Sequence, residues 1–239
     1  MNILVTGVSR GVGIEICKIL LEKGETVYGV ARTYTNEFKE LKNKFPNNLF
    51  FKIFDLSNIN DVKKIIFDNF IGKIPIHGFV NNAAIAYDDI ITNLNILKLQ
   101  EMYQINVFTP MILTKYVIRN MLLYHTEGSI VHVSSISVHT GYKGLAMYAS
   151  SKGALEAFSK NTAREWGERG IRSNVVVPGF METNMSSTLN NGQKERIYKR
   201  TSLKGPTNIH SVGQTIAFLL SEESISITGQ NIHIDNGTI

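Results

Sequence analysis

Thr6-Gly7-Val8-Ser9-Arg10-Gly11-Val12-Gly13 decides how this chain is read. It follows a β-branched run, Ile3 to Thr6, and opens a segment of helical period, Gly11 to Lys23. Glycine at these points lets the backbone turn tightly and approach a diphosphate, and the helix start adds free amides and the positive end of its dipole. Strand, turn and helix in that order form the context a dinucleotide-binding turn requires, so Gly7, Ser9, Arg10, Gly11, Val12 and Gly13 are candidate cofactor contacts. The next strand ends on Ala31 and Arg32, where a site built for a ribose 2′-hydroxyl usually carries a carboxylate. Arg10 can face the same place, and two guanidinium forks there suit a 2′-phosphate, so NADPH/NADP+ is the expected cofactor.

Outward from the turn, β-branched runs alternate with helical segments over the whole chain, the pattern of a doubly wound α/β sheet of the Rossmann type. Strands are predicted at Ile3 to Thr6, Thr26 to Ala31, Leu49 to Phe54, Gly78 to Asn81, Ser129 to Val133, Arg172 to Val177 and Asn231 to Ile234, seven in one parallel sheet. Helices on both faces are predicted at Gly11 to Lys23, Glu37 to Lys44, Asn60 to Phe70, Leu97 to Leu123, Ala149 to Glu168 and Ile209 to Leu220. Right-handed crossovers then line up the strand C-termini along one edge, where such sheets bind ligands. The 239 residues fit one domain, residues 1–239, with no internal repeat, and the polar stretch 184–207 is expected as a substrate lid.

Chemistry gathers near that edge. Tyr148 and Lys152 stand four apart in a helical segment and so share a face. A free tyrosine has a pKa of about 10, and a neighbouring ammonium is expected to lower it towards working range. Ser134 and Ser135 end the preceding strand, where a hydroxyl can hydrogen-bond a carbonyl oxygen.

With Asp55-Leu56, Asn81-Asn82-Ala83-Ala84, Asn106 and Pro178-Gly179-Phe180-Met181-Glu182-Thr183 also in order, the chain resembles the short-chain dehydrogenase/reductases over almost its whole length. The resemblance implies an enzyme. Ser135, thirteen residues before the tyrosine, would polarise the carbonyl, and Tyr148 would donate the proton as hydride arrives. Lys152 would lower the tyrosine pKa and hold the nicotinamide ribose, and Asn106 would position a water that links Lys152 to solvent. Asp55, with Leu56 beside it, would bind the adenine, Asn82 and Ala83 (with Ala84 next) the adenosine ribose, and Pro178, Gly179, Met181 and Thr183 the carboxamide. The family's rule for coenzyme choice agrees with the charges at Arg10 and Arg32. Members of this size are commonly homotetramers, built through the helix with the Tyr and Lys and through the C-terminal segment.

Within the family the chain is most similar to 3-oxoacyl-acyl-carrier-protein reductases, through Thr6 to Gly13, Val175 to Thr183 and Ile227 to Gln230, stretches that serve cofactor and fold more than substrate. Carrier docking in those enzymes uses basic residues beside the cleft; Arg169 matches one, but Thr126-Glu127 stands where another base is expected. Ala84 replaces the usual glycine, and Asp235-Asn236-Gly237 stands where a glycine pair often follows. The loops Ala86 to Asp89 and Ile136 to Leu145, with Met181 onward, should line the pocket, and His139 and Tyr142 are candidate substrate contacts beside Ser135 and Tyr148. Their mixed polarity suits either a 3-oxoacyl group or a hydroxylated or sugar-type ketone. A non-catalytic NADPH-binding sensor or scaffold is the reading of another class.

Composition agrees: 43% hydrophobic and 19% charged residues are globular proportions. The net charge of +5 is scattered, without the basic stripe of a nucleic-acid binder. Cys17 is the only cysteine, which excludes an internal disulfide, and the six histidines show no metal-ligand spacing, so no metal is expected. Met1 to Thr6 runs into a strand without a leader pattern and no apolar run approaches the length of a bilayer span, so a cytoplasmic protein with no membrane partner is expected.

Overall fold

The computed structural model describes residues 1–183 and 190–239. Seven parallel strands form one sheet in the order β3-β2-β1-β4-β5-β6-β7: β1 Asn2–Thr6, β2 Thr26–Ala31, β3 Leu49–Ile53, β4 Gly78–Asn81, β5 Gly128–Val133, β6 Ile171–Pro178 and β7 Asn231–Ile234. The inner strands are buried on both faces, as their Val and Ile runs require. Helices α1 (Gly11–Glu22), α2 (Asn36–Lys44) and α8 (Ile209–Leu220) cover one face, where Ile16, Ile19 and Phe38 pack with Val5, Val131 and Ile216. The other face is covered by a π-helical segment Lys63–Ile71, by α4 (Thr109–Tyr124) and by α6 (Ala146–Trp166), around Phe79, Leu113, Val117 and Ile130.

The chain winds outward in opposite directions from β1 and β4, so the loops leaving those two strands part and open a crevice between them. The glycine turn after β1 and Asn82 to Ala84 after β4 border that crevice.

Two expected helices change in the structure, and two stretches expected without helix contain one. The segment expected as a helix over Asn60 to Phe70 is a 3₁₀ turn, Ile59–Asp61, followed by the π-helical Lys63–Ile71. Its buried residues Val62, Ile66, Phe67 and Ile71 fall at i, i+4, i+5 and i+9, wider than an α-helical stripe. The helix expected over Leu97 to Leu123 is three pieces: α3 (Ile96–Tyr103), a π-helical Gln104–Phe108, and α4. Pro110 opens α4 and has no N–H to give the carbonyl of Asn106, so the ladder widens there. The loop expected over Ile136 to Leu145 contains a single turn, α5 (Ser137–Thr140), and α6 starts at Ala146, which puts Tyr148 inside its first turn. Of the expected lid, 184–189 lie outside the described residues, and Asn191–Arg200 is helix α7, opened by a capping box between Asn190 and Gln193.

Candidate active site

The glycine turn is built against the neighbouring strand. Gly7 has φ +73, and a Cβ there would stand 2.8 Å from Asn82 Nδ2 and 2.9 Å from Ala83 Cα. A Cβ on Gly13 would lie 2.0 Å from the Gly7 carbonyl oxygen, so the helix can start this close to the turn only with glycine there. Asn82 Nδ2 donates to the carbonyls of Thr6 (3.0 Å) and Gly7 (3.1 Å), and Thr6 Oγ1 accepts from the amides of Asn82 and Ala83, both at 3.1 Å. The side chain of Asn82 therefore braces the turn. Ser9 is buried and its carbonyl accepts from Thr35 Oγ1 at 2.8 Å; Thr35 also caps α2.

Arg10 sits at the start of α1 in extended conformation, with no side-chain cap and no acidic residue in the first turn. The first amides of α1 and its positive dipole end are thus left to a ligand anion. Arg10 and Arg32 are exposed, and neither makes a hydrogen bond or ion pair with the described residues. Asp55 accepts from Ser57 N at 2.9 Å, and the carbonyl of buried Leu56 accepts from Thr109 Oγ1 at 2.7 Å. Thr183 closes the ring from β6, its Cγ2 3.9 Å from where a Gly11 Cβ would be. These residues fit a nicotinamide dinucleotide: a glycine cradle that side chains would fill, unspent helix amides, and two uncommitted arginines beside them.

Strand β5 and helix α6 place the reactive groups. Ser135 follows β5, and its Oγ accepts from Ser137 N (3.2 Å) and lies 3.0 Å from Ser137 Oγ. Tyr148 is half-buried, and its phenol lies close enough to Ser135 for the serine to stabilise the phenolate. Lys152 is buried one turn on, its Nζ donating to the Val133 carbonyl at 2.8 Å and standing 5.9 Å from the Tyr148 ring centre. Asn106 is fully buried in the π-helical segment; its Nδ2 donates to Ile85 O (2.8 Å) and Ser151 Oγ (3.1 Å), and its Oδ1 accepts from Ile85 N (2.9 Å). Ser135, Tyr148 and Lys152 are brought together as the spacing suggests, and Asn106 is tied through Ser151 to the same helix.

The electrostatics depart from expectation. The Tyr148 phenol is pushed up to about 12, by burial and then by the negative charge of Asp88, with the Ser135 hydrogen bond opposing. Burial pushes Lys152 down to about 8. The expected lowering of the tyrosine by its lysine is thus not what this arrangement produces: desolvation of the phenolate outweighs an ammonium that is turned to a backbone carbonyl. Tyr148 holds its proton at neutral pH and gives it up less readily than a free phenol.

The two substrate candidates divide. Tyr142 is half-buried against Ile136, Val175 and Val177. His139 directs Nε2 to Glu156, 3.1 Å from Oε2 and 3.2 Å from Oε1, and its ring packs at 4.7 Å on His233. That nitrogen is committed to α6 rather than open to a ligand. Gly179 donates to the Ile234 carbonyl at 2.9 Å, and Pro178 O accepts from Ile136 N at 2.9 Å, which ties the end of β6 to the serine loop. Met181 packs on the α1 side of the core, and Glu182 accepts from Lys194 Nζ and Tyr198 OH of α7, both at 3.0 Å. Of two acidic residues that bear on this group, Asp88, whose charge acts on the phenol, stood within the pocket loop expected over Ala86 to Asp89, and Glu156 was not singled out from sequence. The second continues the spacing Tyr148-x-x-x-Lys152-x-x-x-Glu156, a signal that was there to be read.

A family described as enoyl-(acyl-carrier-protein) reductase matches residues 7–238. The 3-oxoacyl-[acyl-carrier-protein] reductase of Escherichia coli (strain K12) is 33% identical over 237 residues, 98% of this chain and 95% of that protein. The protein of the same name from Buchnera aphidicola subsp. Acyrthosiphon pisum is 30% identical over 233 residues, again 98% and 95%. Among solved structures, a 4-hydroxyisoleucine dehydrogenase complexed with NADH superposes with a TM-score of 0.92 at 26% identity, covering 99% of this chain and 98% of that one. Sheet, glycine cradle and the Ser-Tyr-Lys group define a nicotinamide-dependent oxidoreductase. Within that class, the chain belongs to the short-chain dehydrogenase/reductase family. No helix among the described residues is long and apolar enough to cross a membrane.

Proposed function

We propose that this enzyme reduces the ketone of a 3-oxoacyl thioester carried on acyl carrier protein, with NADPH as reductant. The near full-length likeness to reductases of that name carries the substrate reading. The coenzyme reading rests on Arg10 and Arg32, two unpaired cations with no carboxylate between them where a 2′-phosphate would lie.

When bound, the reduced nicotinamide supplies the hydride that the carbonyl carbon accepts. Ser135 holds the carbonyl oxygen, and Tyr148 gives that oxygen its proton as negative charge develops on it. A phenol held near 12 gives its proton only to an oxygen that has become strongly basic, so the transfer keeps step with hydride arrival. Lys152 orients the nicotinamide ribose and restores the tyrosine proton. The Asn106 carbonyl, which Pro110 leaves without its helical donor, holds the water that connects Lys152 to solvent. Asp55 and Leu56 take the adenine, Ala83 and Ala84 border the ribose, and Pro178, Gly179, Met181 and Thr183 receive the carboxamide.

The working form is a homotetramer in the cytoplasm. Exposed Phe108 (49%) and Leu123 (70%) on and beside α4 supply apolar surface for subunit contact.

A hydroxylated or sugar-type ketone is the second reading, favoured by two acidic residues. Asp88 is an exposed carboxylate whose charge acts on the phenol, and it is available to a substrate hydroxyl that donates to it. Glu127 packs within 2.5 Å of where a Gly170 Cβ would be, beside Arg169, and its charge opposes an acidic carrier there. The test is NADPH oxidation with an acetoacetyl thioester, free and on acyl carrier protein, beside hydroxyketones and keto-sugars. Thioester activity that rises on the carrier supports the first reading, and activity confined to hydroxylated ketones replaces it with the second.

A further inference from the structure

Helix α6 carries a third side chain in step with Tyr148 and Lys152. Glu156 is only 8% exposed, and a buried carboxylate is costly unless its oxygens are taken up by donors. Three elements supply them: Ser134 Oγ at the end of β5, His139 Nε2 in α5 and Asn231 Nδ2 at the start of β7, the last at 2.8 Å. Ser134 directly precedes Ser135, and His139 follows it by four residues. One carboxylate therefore grips the serine loop on both sides of the hydroxyl that meets Tyr148, and it does so from the helix that carries Tyr148.

We propose that Glu156 is a positioning residue for the reduction: it clamps the segment from Ser134 to His139 onto α6 and so sets the place of Ser135 relative to Tyr148. This rests on the carbonyl-reductase reading above. The physical reason is rigidity. Ser135 stands between a strand end and the single turn α5, and a turn that short has little stability of its own, so an external tether decides where the hydroxyl sits. A displacement of about 1 Å at a reacting group can lower a rate about 100-fold.

The test uses the full-length enzyme, with NADPH oxidation on the carbonyl the wild type reduces best, and amide exchange of Val138, His139 and Thr140, whose N–H groups close α5. In Glu156→Ala, kcat is expected to fall about 10- to 100-fold with the KM for NADPH within about twofold, and the α5 amides to exchange faster. Glu156→Gln is expected to stay within about threefold of wild type, because the amide oxygen still accepts from Ser134 and Asn231 can turn its carboxamide to match. Should Glu156→Ala not fold, Ser134→Ala removes one tether alone and is expected to lower kcat in the same pattern. Wild-type kcat in Glu156→Ala or Ser134→Ala overturns the proposal, as does unchanged α5 exchange or an equal loss of NADPH affinity. If the wild type reduces no carbonyl at all, the functional reading fails, while α5 exchange still decides whether the clamp exists.

Discussion

His132 lies under the catalytic groups, fully buried in β5 between Phe79 and Phe158, with Asn81 Nδ2 3.3 Å from its Nδ1. Burial, with the Lys152 charge adding to it, pushes its pKa from the usual 6.5 down to about 3. The unfolded chain binds a proton near 6.5 that the folded chain refuses until about 3, so stability falls as pH drops through that window. His132→Asn is expected to narrow the gap between urea midpoints measured at pH 7 and pH 5; an unchanged gap would locate the acid sensitivity elsewhere. In the proposed function Arg32 would act at the same scale, through one charge-assisted contact with the 2′-phosphate. Arg32→Ala is expected to weaken NADPH about 10- to 100-fold and leave NADH nearly unaffected, checked by titrating both. Equal losses would mean that the guanidinium never meets the 2′-phosphate. Where the signal was local the geometry was legible in the sequence: the glycines of the turn, and Tyr148 and Lys152 four apart, stand as their spacing suggests. The direction of the Tyr148 shift was not, because burial by folded neighbours outweighs the ammonium one turn away.

At the scale of elements, the site depends on a helix that is not uniform. The hydrophobic period across Leu97 to Leu123 reads as one helix, yet Pro110 removes a donor and the backbone widens into a π-helical turn at Gln104–Phe108. That turn presents Asn106 to both backbone groups of Ile85, so it joins α4 to the loop after β4. Pro110→Ala is expected to let α4 run back in regular α-helix, detach Asn106 from Ile85 and lower kcat about tenfold with the fold retained. Full activity in that variant would show that the widened turn is held by packing rather than by the missing N–H. The proline was visible in the sequence, but its effect on which way Asn106 faces was not, since that is settled by contact with Ile85. The commitment of His139 to Glu156 escaped for a related reason: it joins α5 to α6, and no local pattern states which elements will touch.

Across the whole molecule, the order of strands explains why chemistry collects where it does. Strands β1 and β4 sit side by side while their connections leave in opposite directions, so the glycine turn and the Asn82 brace border one crevice, with the serine loop one strand over at the end of β5. The parallel sheet and its seven strands were readable throughout, because continuous Val and Ile runs alternating with helical segments admit few other arrangements. The π-helical segments, α5 and α7 were not, being set by packing, by a missing donor or by a cap within a polar stretch. The proposed function makes Tyr148 the proton donor in an NADPH-dependent carbonyl reduction. It is tested most directly by Tyr148→Phe, comparing steady-state NADPH oxidation with NADPH affinity from fluorescence titration. Turnover is expected to fall at least about 1,000-fold while affinity stays within about threefold, because the hydroxyl moves the proton and contributes little to holding the cofactor. A near-normal rate in that variant would contradict it.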